Sequence, residues 1–440
     1  MSFVKIKKIN TPVSGVLSFP GDKSLSHRAI IFGSLADGVS RFTNVLSGED
    51  CVCTRQAFEA MGVAIKTISP TEVEIKGTGL QGLKAPKNEI YLGNSGTSIR
   101  LLMGILAGQN FKATLTGDPS LSHRPMRRVT DYLKQMGAKI EGRDNANYAP
   151  LTVEGASLKA IDAKLAISSA QVKSAILLAG LYAKGKTSVT EPVKSRDHSE
   201  RFLSHFGAKV EISGNTVSVQ GGQKLSAKSF EIAGDISSAA FFMAIALLVP
   251  DTTIQFKSVL DNPTRTGLLE VLKRMGVNFS GYQSSAKGSM AGPEPVADFG
   301  LHTQSLKAFE IKREELPSLI DEIPILMVLA TQAKGVSIIH EAKELRVKET
   351  DRIHSMTTTL SAMGASIQVE GDTIFITGGT PLKGAKLNSF KDHRTAMSLI
   401  VAGMVADGET IVEDLDCINT SFPNFFGLLN QLQIPYQLSK

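Results

Sequence analysis

The stretch SSAQVKSAILLAGLYAKG, residues 168–185, begins with two serines, continues as an almost unbroken apolar run and ends at a glycine. Segments of the same pattern recur along the chain, at 21–38, 93–108, 234–250, 321–335 and 391–408. A helix that is apolar almost all round belongs inside a domain, because it has no polar face to turn toward water. The sequence therefore predicts six inner helices.

A second helix in these repeats ends at a glycine that follows a large apolar residue. The glycines are Gly62, Gly137, Gly207, Gly276 and Gly364. A left-handed glycine is the usual C-cap of a helix, and each of these is followed by an alternating pattern typical of a strand. Each repeat is thus predicted to run β-α-β-α-β-β, with an amphipathic outer helix.

Six repeats in 440 residues predict two domains, because a single core rarely grows to that size. The expected fold class is α/β (α+β). The chain is expected to form two inside-out domains, each of three β-α-β-α-β-β repeats with inner helices and outer sheets. The N-terminal domain is expected to span 21–235 and the C-terminal domain 236–440, with a strand in 1–20 joining the latter. The active site is expected in the cleft between them.

Composition favours a cytoplasmic protein that binds small anions. The formal net charge is +6, aromatic residues make up 6%, and tryptophan is absent. Basic residues are scattered rather than interleaved with aromatic ones, which argues against nucleic acid as a partner. The longest apolar stretches, 241–250 and 399–406, are too short to span a bilayer, so neither export nor a membrane anchor is expected. Cys51, Cys53 and Cys417 are expected to be reduced thiols.

Polar and basic residues crowd the predicted helix starts, where unpaired N–H groups and the helix dipole favour anions. Capping alone explains serine or asparagine at such positions, but not cations in a first turn, which the dipole disfavours unless an anion lies between them. We infer a site for at least two anionic groups. Its cationic candidates are Lys23, Arg28, Arg100, Arg124, Arg196, Lys348, Arg352 and Arg394.

Two carboxylates near these cations are candidates for proton transfer, Asp321 and Glu349. Asp321 precedes an inner helix and is expected to cap it, where partial burial would favour a base. Glu349 has a simpler interpretation as an i,i+3 ion-pair partner of Arg352. The histidines are isolated, and no P-loop or nucleophile-elbow motif occurs, so neither a bound metal nor a cofactor is expected.

Seven blocks of the chain, in order, resemble the signature blocks of the 5-enolpyruvylshikimate-3-phosphate synthase family. They are GDKSLSHRA from Gly21, GNSGTSIR from Gly93, SHRPM from Ser122, SSAQVKSA from Ser168, SRDHSERFL from Ser195, RVKETDR from Arg346 and KDHRTAM from Lys391. The resemblance covers about residues 10–430 and implies two inside-out domains of three repeats. It also implies transfer of the enolpyruvyl group of phosphoenolpyruvate to shikimate 3-phosphate, in the pathway to chorismate and aromatic amino acids.

The resemblance implies a role for each matching residue. Shikimate 3-phosphate would be held by Lys23, Ser24, Arg28, Ser169, Ala170, Gln171, Arg196, Asp321 and Lys348. Phosphoenolpyruvate would be held by Lys23, Asn94, Gly96, Arg124, Gln171, Arg352 and Arg394, with Thr97, Arg100 and His393 in support. The catalytic residues would be Asp321, Glu349 and Lys23, acting by addition and elimination without a cofactor.

Two details of the resemblance concern specific positions. Glu349 and Lys23 compete for the role of protonating the methylene carbon. Thr420 stands where some relatives carry lysine, which puts one anion contact in doubt. Gly96 leaves room for the phosphonate inhibitor glyphosate, whereas Leu101 replaces a proline of some relatives, so inhibition at modest potency is expected.

Three other functions are compatible with part of the pattern. The sister enzyme that uses a UDP-amino sugar as acceptor shares the repeat, but it has asparagine after the lysine and a loop cysteine. This chain has Ser24, and its loop 122–126 contains no cysteine. An RNA-end-processing protein of similar repeats and a non-catalytic anion-binding protein are the more distant alternatives. The partners expected are small molecules only, and a monomer is expected.

Overall fold

The computed structural model describes residues 2–285 and 292–439, which form two compact units. The N-terminal unit contains residues 21–232 and, beyond them, 292–294. The C-terminal unit contains residues 2–20, 233–285 and 295–439. The chain therefore passes from one unit to the other several times.

In the part of the chain that the structure describes, each unit contains three inner and three outer helices, and the N-terminal unit also has a four-residue helical segment, Arg143–Ala146. In chain order the helices are α1 Lys23–Leu35, α2 Glu49–Ala60, α3 Gly96–Leu106, α4 Arg127–Met136, α5 Ala170–Gly180, α6 His198–His205, α7 Ile236–Leu248, α8 Gly267–Arg274, α9 Ile323–Gln332, α10 Arg352–Ala362, α11 His393–Gly403 and α12 Phe425–Gln431. The odd-numbered helices are the six predicted inner ones. Nearly every residue of α7 and α9 is buried, whereas α4 buries only Val129, Thr130, Leu133 and Met136.

The strands within residues 2–285 and 292–439 form six four-stranded sheets. In chain order the strands are β1 Phe3–Lys7, β2 Ser14–Ser18, β3 Asp37–Thr43, β4 Ala64–Ser69, β5 Glu72–Thr78, β6 Ile90–Tyr91, β7 Lys112–Thr116, β8 Lys139–Gly142, β9 Tyr148–Glu154, β10 Asp162–Lys164, β11 Lys186–Thr190, β12 Val210–Ser213, β13 Thr216–Gln220, β14 Ser229–Glu231, β15 Thr253–Leu260, β16 Ser280–Ser285, β17 Val296–His302, β18 Glu310–Ile311, β19 Val336–Ile339, β20 Ser366–Glu370, β21 Thr373–Thr377, β22 Lys386–Asn388, β23 Glu409–Glu413 and β24 Gln437–Ser439.

Each sheet takes its strands from one repeat, with three long-range exceptions. The second, third and fifth repeats have the orders β6-β7-β9-β8, β10-β11-β13-β12 and β18-β19-β21-β20. In the first repeat β14 pairs in parallel with β3, and in the fourth repeat β2 pairs in parallel with β15. In the last repeat β1 lies antiparallel between β23 and β24. The α/β class and the β-α-β-α-β-β repeat are confirmed.

All five glycines predicted as helix C-caps have positive φ. The values are 87° at Gly62, 110° at Gly137, 95° at Gly207, 88° at Gly276 and 89° at Gly364. A side chain is strained in this conformation, which explains why glycine recurs at these helix ends. No helix within residues 2–285 or 292–439 has the length and apolarity needed to cross a membrane.

The unit boundaries differ from the expected 21–235 and 236–440 at two places. Residues 233–235 lie with the C-terminal unit, because the Gly234 N–H donates to Ser258 and its carbonyl accepts from Leu260, at 2.9 and 2.8 Å. Glu294 lies with the N-terminal unit, because its carboxylate is 2.7 Å from Nδ1 of His198. The segment 1–20 contributes two strands, β1 and β2, rather than one.

Candidate active site

Lys23 opens the first inner helix, and an acidic side chain holds it. The Asp22 carboxylate caps α1 by accepting the Leu25 N–H at 2.9 Å, so the helix begins at Lys23. The Lys23 ammonium forms a short ion pair with Asp50 of α2, and its side chain is only 20% exposed. A lysine in the first turn of a helix is thus fixed by a carboxylate that the sequence did not single out.

Arg28, one turn further along α1, is completely enclosed by hydroxyl and carbonyl oxygens. Its Nε donates to Ser199 at 2.9 Å, one Nη donates to Ser174 at 3.0 Å, and the other donates to the Ser24 carbonyl at 3.0 Å. Burial lowers the pKa of Arg28 to about 10, opposed chiefly by the charge of Glu200. The guanidinium therefore stays charged near neutral pH and is held rigidly.

The second inner helix brings Asn94 and Gly96 to Arg124. Asn94 lies between two side chains: its amide nitrogen donates to Asp118 at 2.7 Å, and its oxygen accepts a short hydrogen bond from Arg124. A Cβ on Gly96 would lie 3.2 Å from Nη1 of Arg124 and 2.8 Å from Nη1 of Arg100. The backbone at Gly96 thus approaches two guanidinium groups closely.

The third inner helix is joined to the second through Gln171. Arg100 donates to the Gln171 side-chain oxygen at 2.6 Å, and the Gln171 amide donates to the Thr97 hydroxyl at 3.0 Å. Ser169 caps this helix, α5, by accepting the Val172 N–H at 3.4 Å. Ala170 is the first residue of α5. Arg100, Gln171 and Thr97 therefore belong to one hydrogen-bonded group at two helix starts.

Arg352, the first residue of α10, is the centre of a second cluster in the C-terminal unit. Its guanidinium lies 2.9 Å from Asp392, 2.6 Å from Glu349 and 3.2 Å from Asp321. Burial alone would lower the pKa of Arg352, but the charges of Asp392, Glu349 and Asp321 outweigh it and raise the pKa above its ordinary value. The guanidinium is 1% exposed and holds all three carboxylates.

Lys348 and Arg394 complete this cluster around Asp321. The Lys348 ammonium is 3.4 Å from the Asp321 carboxylate, and one Nη of Arg394 donates to the Asp321 backbone carbonyl at 3.0 Å. His393 lies beside Thr420, with 3.5 Å between its Nδ1 and the hydroxyl. The cations of this cluster are paired with the carboxylates of Asp321, Glu349 and Asp392, and a fourth carboxylate, Glu322, lies 3.8 Å from Arg394.

One expectation about this cluster needs correction. Asp321 does not cap α9: Glu322 occupies the N-cap position without a capping side-chain bond, and the Asp321 carboxylate turns to Lys348 and Arg352 instead. The pairing of Glu349 with Arg352, anticipated as an alternative, is present. Asp392 was recognised only as part of a helix start, yet its carboxylate is the most deeply buried of the three.

The structure separates the predicted residues into two groups by unit. The N-terminal unit holds Lys23, Ser24, Arg28, Asn94, Gly96, Thr97, Arg100, Arg124, Ser169, Ala170, Gln171 and Arg196, and the C-terminal unit holds Asp321, Lys348, Glu349, Arg352, His393 and Arg394. Sequence reasoning missed the acidic partners Asp50 and Asp118. Asp50 lies in the helix that follows the helix of Lys23, and Asp118 lies in the loop before Arg124. Neither stands at a sequence spacing that identifies its partner.

The family resemblance implies that Gly96 contacts phosphoenolpyruvate, so we expect Gly96→Ala to weaken binding of that substrate. The added methyl would meet Nη1 of Arg100 and Arg124, and a displaced Arg124 would lose its place beside Asn94. The KM for phosphoenolpyruvate should rise about tenfold, or about 1.4 kcal/mol. Steady-state kinetics with each substrate varied would check this, and an equal rise in both KM values or an unchanged KM for phosphoenolpyruvate would contradict it.

The three inner helices of each unit, and the basic residues near several helix starts, agree with the fold expected of an enolpyruvyl transferase. The family model described as EPSP synthase (3-phosphoshikimate 1-carboxyvinyltransferase) matches residues 7–429. The chain belongs to this family.

Similar proteins cover almost the whole chain. It is 47% identical over 428 residues to a 3-phosphoshikimate 1-carboxyvinyltransferase of Shouchella clausii, covering 97% of this chain and 98% of that protein. A Bacillus cereus protein of the same name is 47% identical over 427 residues, with the same coverage. The solved structure of EPSP synthase from Acinetobacter baumannii matches with a TM-score of 0.88 and 41% identity, covering 100% of both chains.

Proposed function

We propose that this chain transfers the enolpyruvyl group of phosphoenolpyruvate to the 5-hydroxyl of shikimate 3-phosphate, releasing phosphate. The observation that carries this proposal is the group around Arg352, in which Asp321 and Glu349 share one buried guanidinium. A base and an acid are thus available beside Lys348 and Arg394, which suit an anionic substrate. Membership of the EPSP synthase family over residues 7–429 supports the same reaction.

The shikimate 3-phosphate site is proposed on the residues that match the family's substrate-binding motifs. Arg28 and Arg196 offer charge to the phosphate, and the start of α5 offers backbone N–H groups, which suit a phosphate. The full set is Lys23, Ser24, Arg28, Ser169, Ala170, Gln171, Arg196, Asp321 and Lys348. Arg28 donates to three oxygen acceptors of the protein itself, which fix the position of its guanidinium.

The phosphoenolpyruvate site uses guanidinium groups whose positions are fixed by neighbouring polar groups. Arg124 is held by Asn94, and Arg352 is held by three carboxylates. The full set is Lys23, Asn94, Gly96, Arg124, Gln171, Arg352 and Arg394, supported by Thr97, Arg100 and His393. An incoming phosphate would compete with Glu349 for Arg352, which would release Glu349 toward the reacting carbon.

The chemistry consists of proton transfers and C–O bond changes. Asp321 accepts the proton of the 5-hydroxyl group while the hydroxyl oxygen forms a bond to carbon 2 of phosphoenolpyruvate. Glu349 or Lys23 delivers a proton to carbon 3. The resulting tetrahedral intermediate returns a proton from carbon 3 to the group that delivered it, Glu349 or Lys23. The C–H electrons form the C=C bond, and phosphate leaves with the electrons of the C–O bond. Fixed cations stabilise the leaving anion, since preorganised charge needs no rearrangement during the reaction.

Phosphate release from phosphoenolpyruvate tests the proposal directly, with shikimate 3-phosphate and UDP-N-acetylglucosamine compared as acceptors. Release with shikimate 3-phosphate alone is expected. Release only with the UDP-sugar would assign the chain to the sister reaction. Silence with both, together with salt-sensitive RNA binding, would favour the RNA-processing alternative.

Glyphosate should inhibit the enzyme by competing with phosphoenolpyruvate. The compound carries a phosphonate and a carboxylate, and the family resemblance implies that Gly96 leaves room for it. The Arg124 guanidinium lies 3.2 Å from the place that a Cβ at Gly96 would take. Inhibition at modest potency is expected, relieved by excess phosphoenolpyruvate. Unchanged turnover in millimolar-range glyphosate would contradict this expectation.

A further inference from the structure

Glu191 joins two parts of the N-terminal unit that carry predicted substrate contacts. This buried residue follows strand β11, and one of its carboxylate oxygens accepts the N–H of Ser169, the cap of α5, at 3.0 Å. Its other oxygen accepts the N–H of Ser195, the residue before Arg196, at 3.2 Å. One carboxylate therefore ties the start of the inner helix to the loop that carries Arg196.

A buried lysine orients this carboxylate. The Lys173 ammonium lies 2.7 Å from Glu191 and 2.8 Å from Glu200, and all three side chains are at most 2% exposed. Lys173 is also 3.5 Å from the Ser195 carbonyl. Burying such charges contributes little to stability, because desolvation offsets their attraction. Their effect here is on geometry, because Lys173 holds the Glu191 carboxylate where each of its oxygens accepts a backbone N–H.

The preceding repeat contains the same device with a different acid. Asp118 follows strand β7, accepts the Asn94 amide at 2.7 Å, and accepts the Leu121 N–H at 2.7 Å. Asn94 stands before the inner helix α3, and Leu121 lies in the loop that leads to Arg124. In two repeats, therefore, an acid after the strand connects an inner-helix start to the loop of an anion-binding arginine.

We propose that Glu191 is a positioning residue for shikimate 3-phosphate, acting through Ser169 and Arg196; this rests on the proposed function. Electrostatics alone predicts that removing the negative charge of Glu191 would strengthen the binding of an anionic substrate. Lys173, Glu191 and Glu200 together carry one net negative charge, so neutralising Glu191 would favour an anionic ligand. Weaker binding after neutralisation would come from lost geometry.

The test compares Glu191→Gln with Glu200→Gln in the full chain. Both changes remove one negative charge from the same buried lysine, but Glu200 accepts no backbone N–H of Ser169 or Ser195 in the part of the chain that the structure describes. Burial raises the pKa of Glu200, despite the opposing charge of Lys173, which makes its neutral replacement mild. Calorimetry gives the Kd of shikimate 3-phosphate, and kinetics gives kcat and both KM values.

Glu191→Gln should raise the Kd and the KM for shikimate 3-phosphate about tenfold or more, with kcat changed less than about threefold. Glu200→Gln should leave that Kd unchanged or lower. An unchanged Kd in Glu191→Gln, or an equal rise in both variants, would overturn the proposal.

If Glu191→Gln does not unfold cooperatively, Glu191→Asp replaces it, since it keeps the charge and withdraws the carboxylate by one methylene. An unchanged Kd in Glu191→Asp would likewise overturn the proposal. Wild-type protein that binds shikimate 3-phosphate without releasing phosphate would sink the proposed reaction instead, because the Kd needs no turnover.

Discussion

Replacing Asp321 by asparagine should lower kcat by about three orders of magnitude, within the range that proton transfer by a positioned side chain contributes. Asparagine keeps the size of aspartate but cannot accept the proton of the 5-hydroxyl. The Kd of shikimate 3-phosphate, measured by calorimetry, should change little, because the other contacts to the substrate remain. The loss would then fall on turnover, as expected for an interaction needed in the transition state.

Asp407→Asn is the matched control for Asp321→Asn. Asp407 lies in the same unit and pairs with Lys8 at 2.7 Å, but its side chain is 61% exposed. Its replacement should leave kcat unchanged. Equal turnover in Asp321→Asn and wild type would remove Asp321 from catalysis and would favour a protein that binds anions without transforming them.

The second large effect is expected from Arg352→Lys. A lysine cannot reproduce the planar fork that Arg352 presents to Asp321, Glu349 and Asp392, so buried carboxylates would lose their partner. Breaking a buried ion pair costs about 3 kcal/mol or more of the free energy of unfolding. The kcat/KM for phosphoenolpyruvate should fall about a thousandfold, since the proposed substrate contact and the orientation of the candidate base Asp321 and the candidate acid Glu349 are lost together.

Arg346→Lys separates this effect from a general intolerance of lysine. Arg346 also bonds two carboxylates, 2.7 Å from Asp372 and 2.9 Å from Asp351, but its side chain is 35% exposed. Solvent-exposed pairs contribute about 1 kcal/mol or less. Thermal unfolding and steady-state kinetics should show little change in Arg346→Lys. A similar loss in both variants would contradict a special role for Arg352.

The repeat could be predicted from sequence because its signals are local. An apolar run such as 236–248 predicts an inner helix, and glycines such as Gly137 mark helix ends because they adopt positive φ. The pairing of β2 with β15 could not be predicted in the same way. Its partners lie more than two hundred residues apart, and nothing in the five residues of β2 specifies a distant partner.

The residues of the candidate site could likewise be predicted only where their sequence signal is local. Lys23 and Arg352 were found because a cation in a first helical turn is unusual. Their partners Asp50 and Asp392 are acids near helix starts, where acids are common and uninformative. Asp321 could be identified as a candidate base from its residue type and position. The orientation of its side chain could not be predicted, because the side chain of a residue before a helix can either cap that helix or turn away from it. Tertiary packing decides such cases.

Isotope labelling of phosphoenolpyruvate tests the central claim, enolpyruvyl transfer, most directly. Phosphoenolpyruvate carrying oxygen-18 in the bridge between carbon 2 and phosphorus is incubated with shikimate 3-phosphate and the enzyme, and the phosphate released is analysed by mass spectrometry. Addition followed by elimination breaks the C–O bond, so the label should appear in inorganic phosphate. Label retained in a three-carbon product would show cleavage of the P–O bond and would contradict enolpyruvyl transfer.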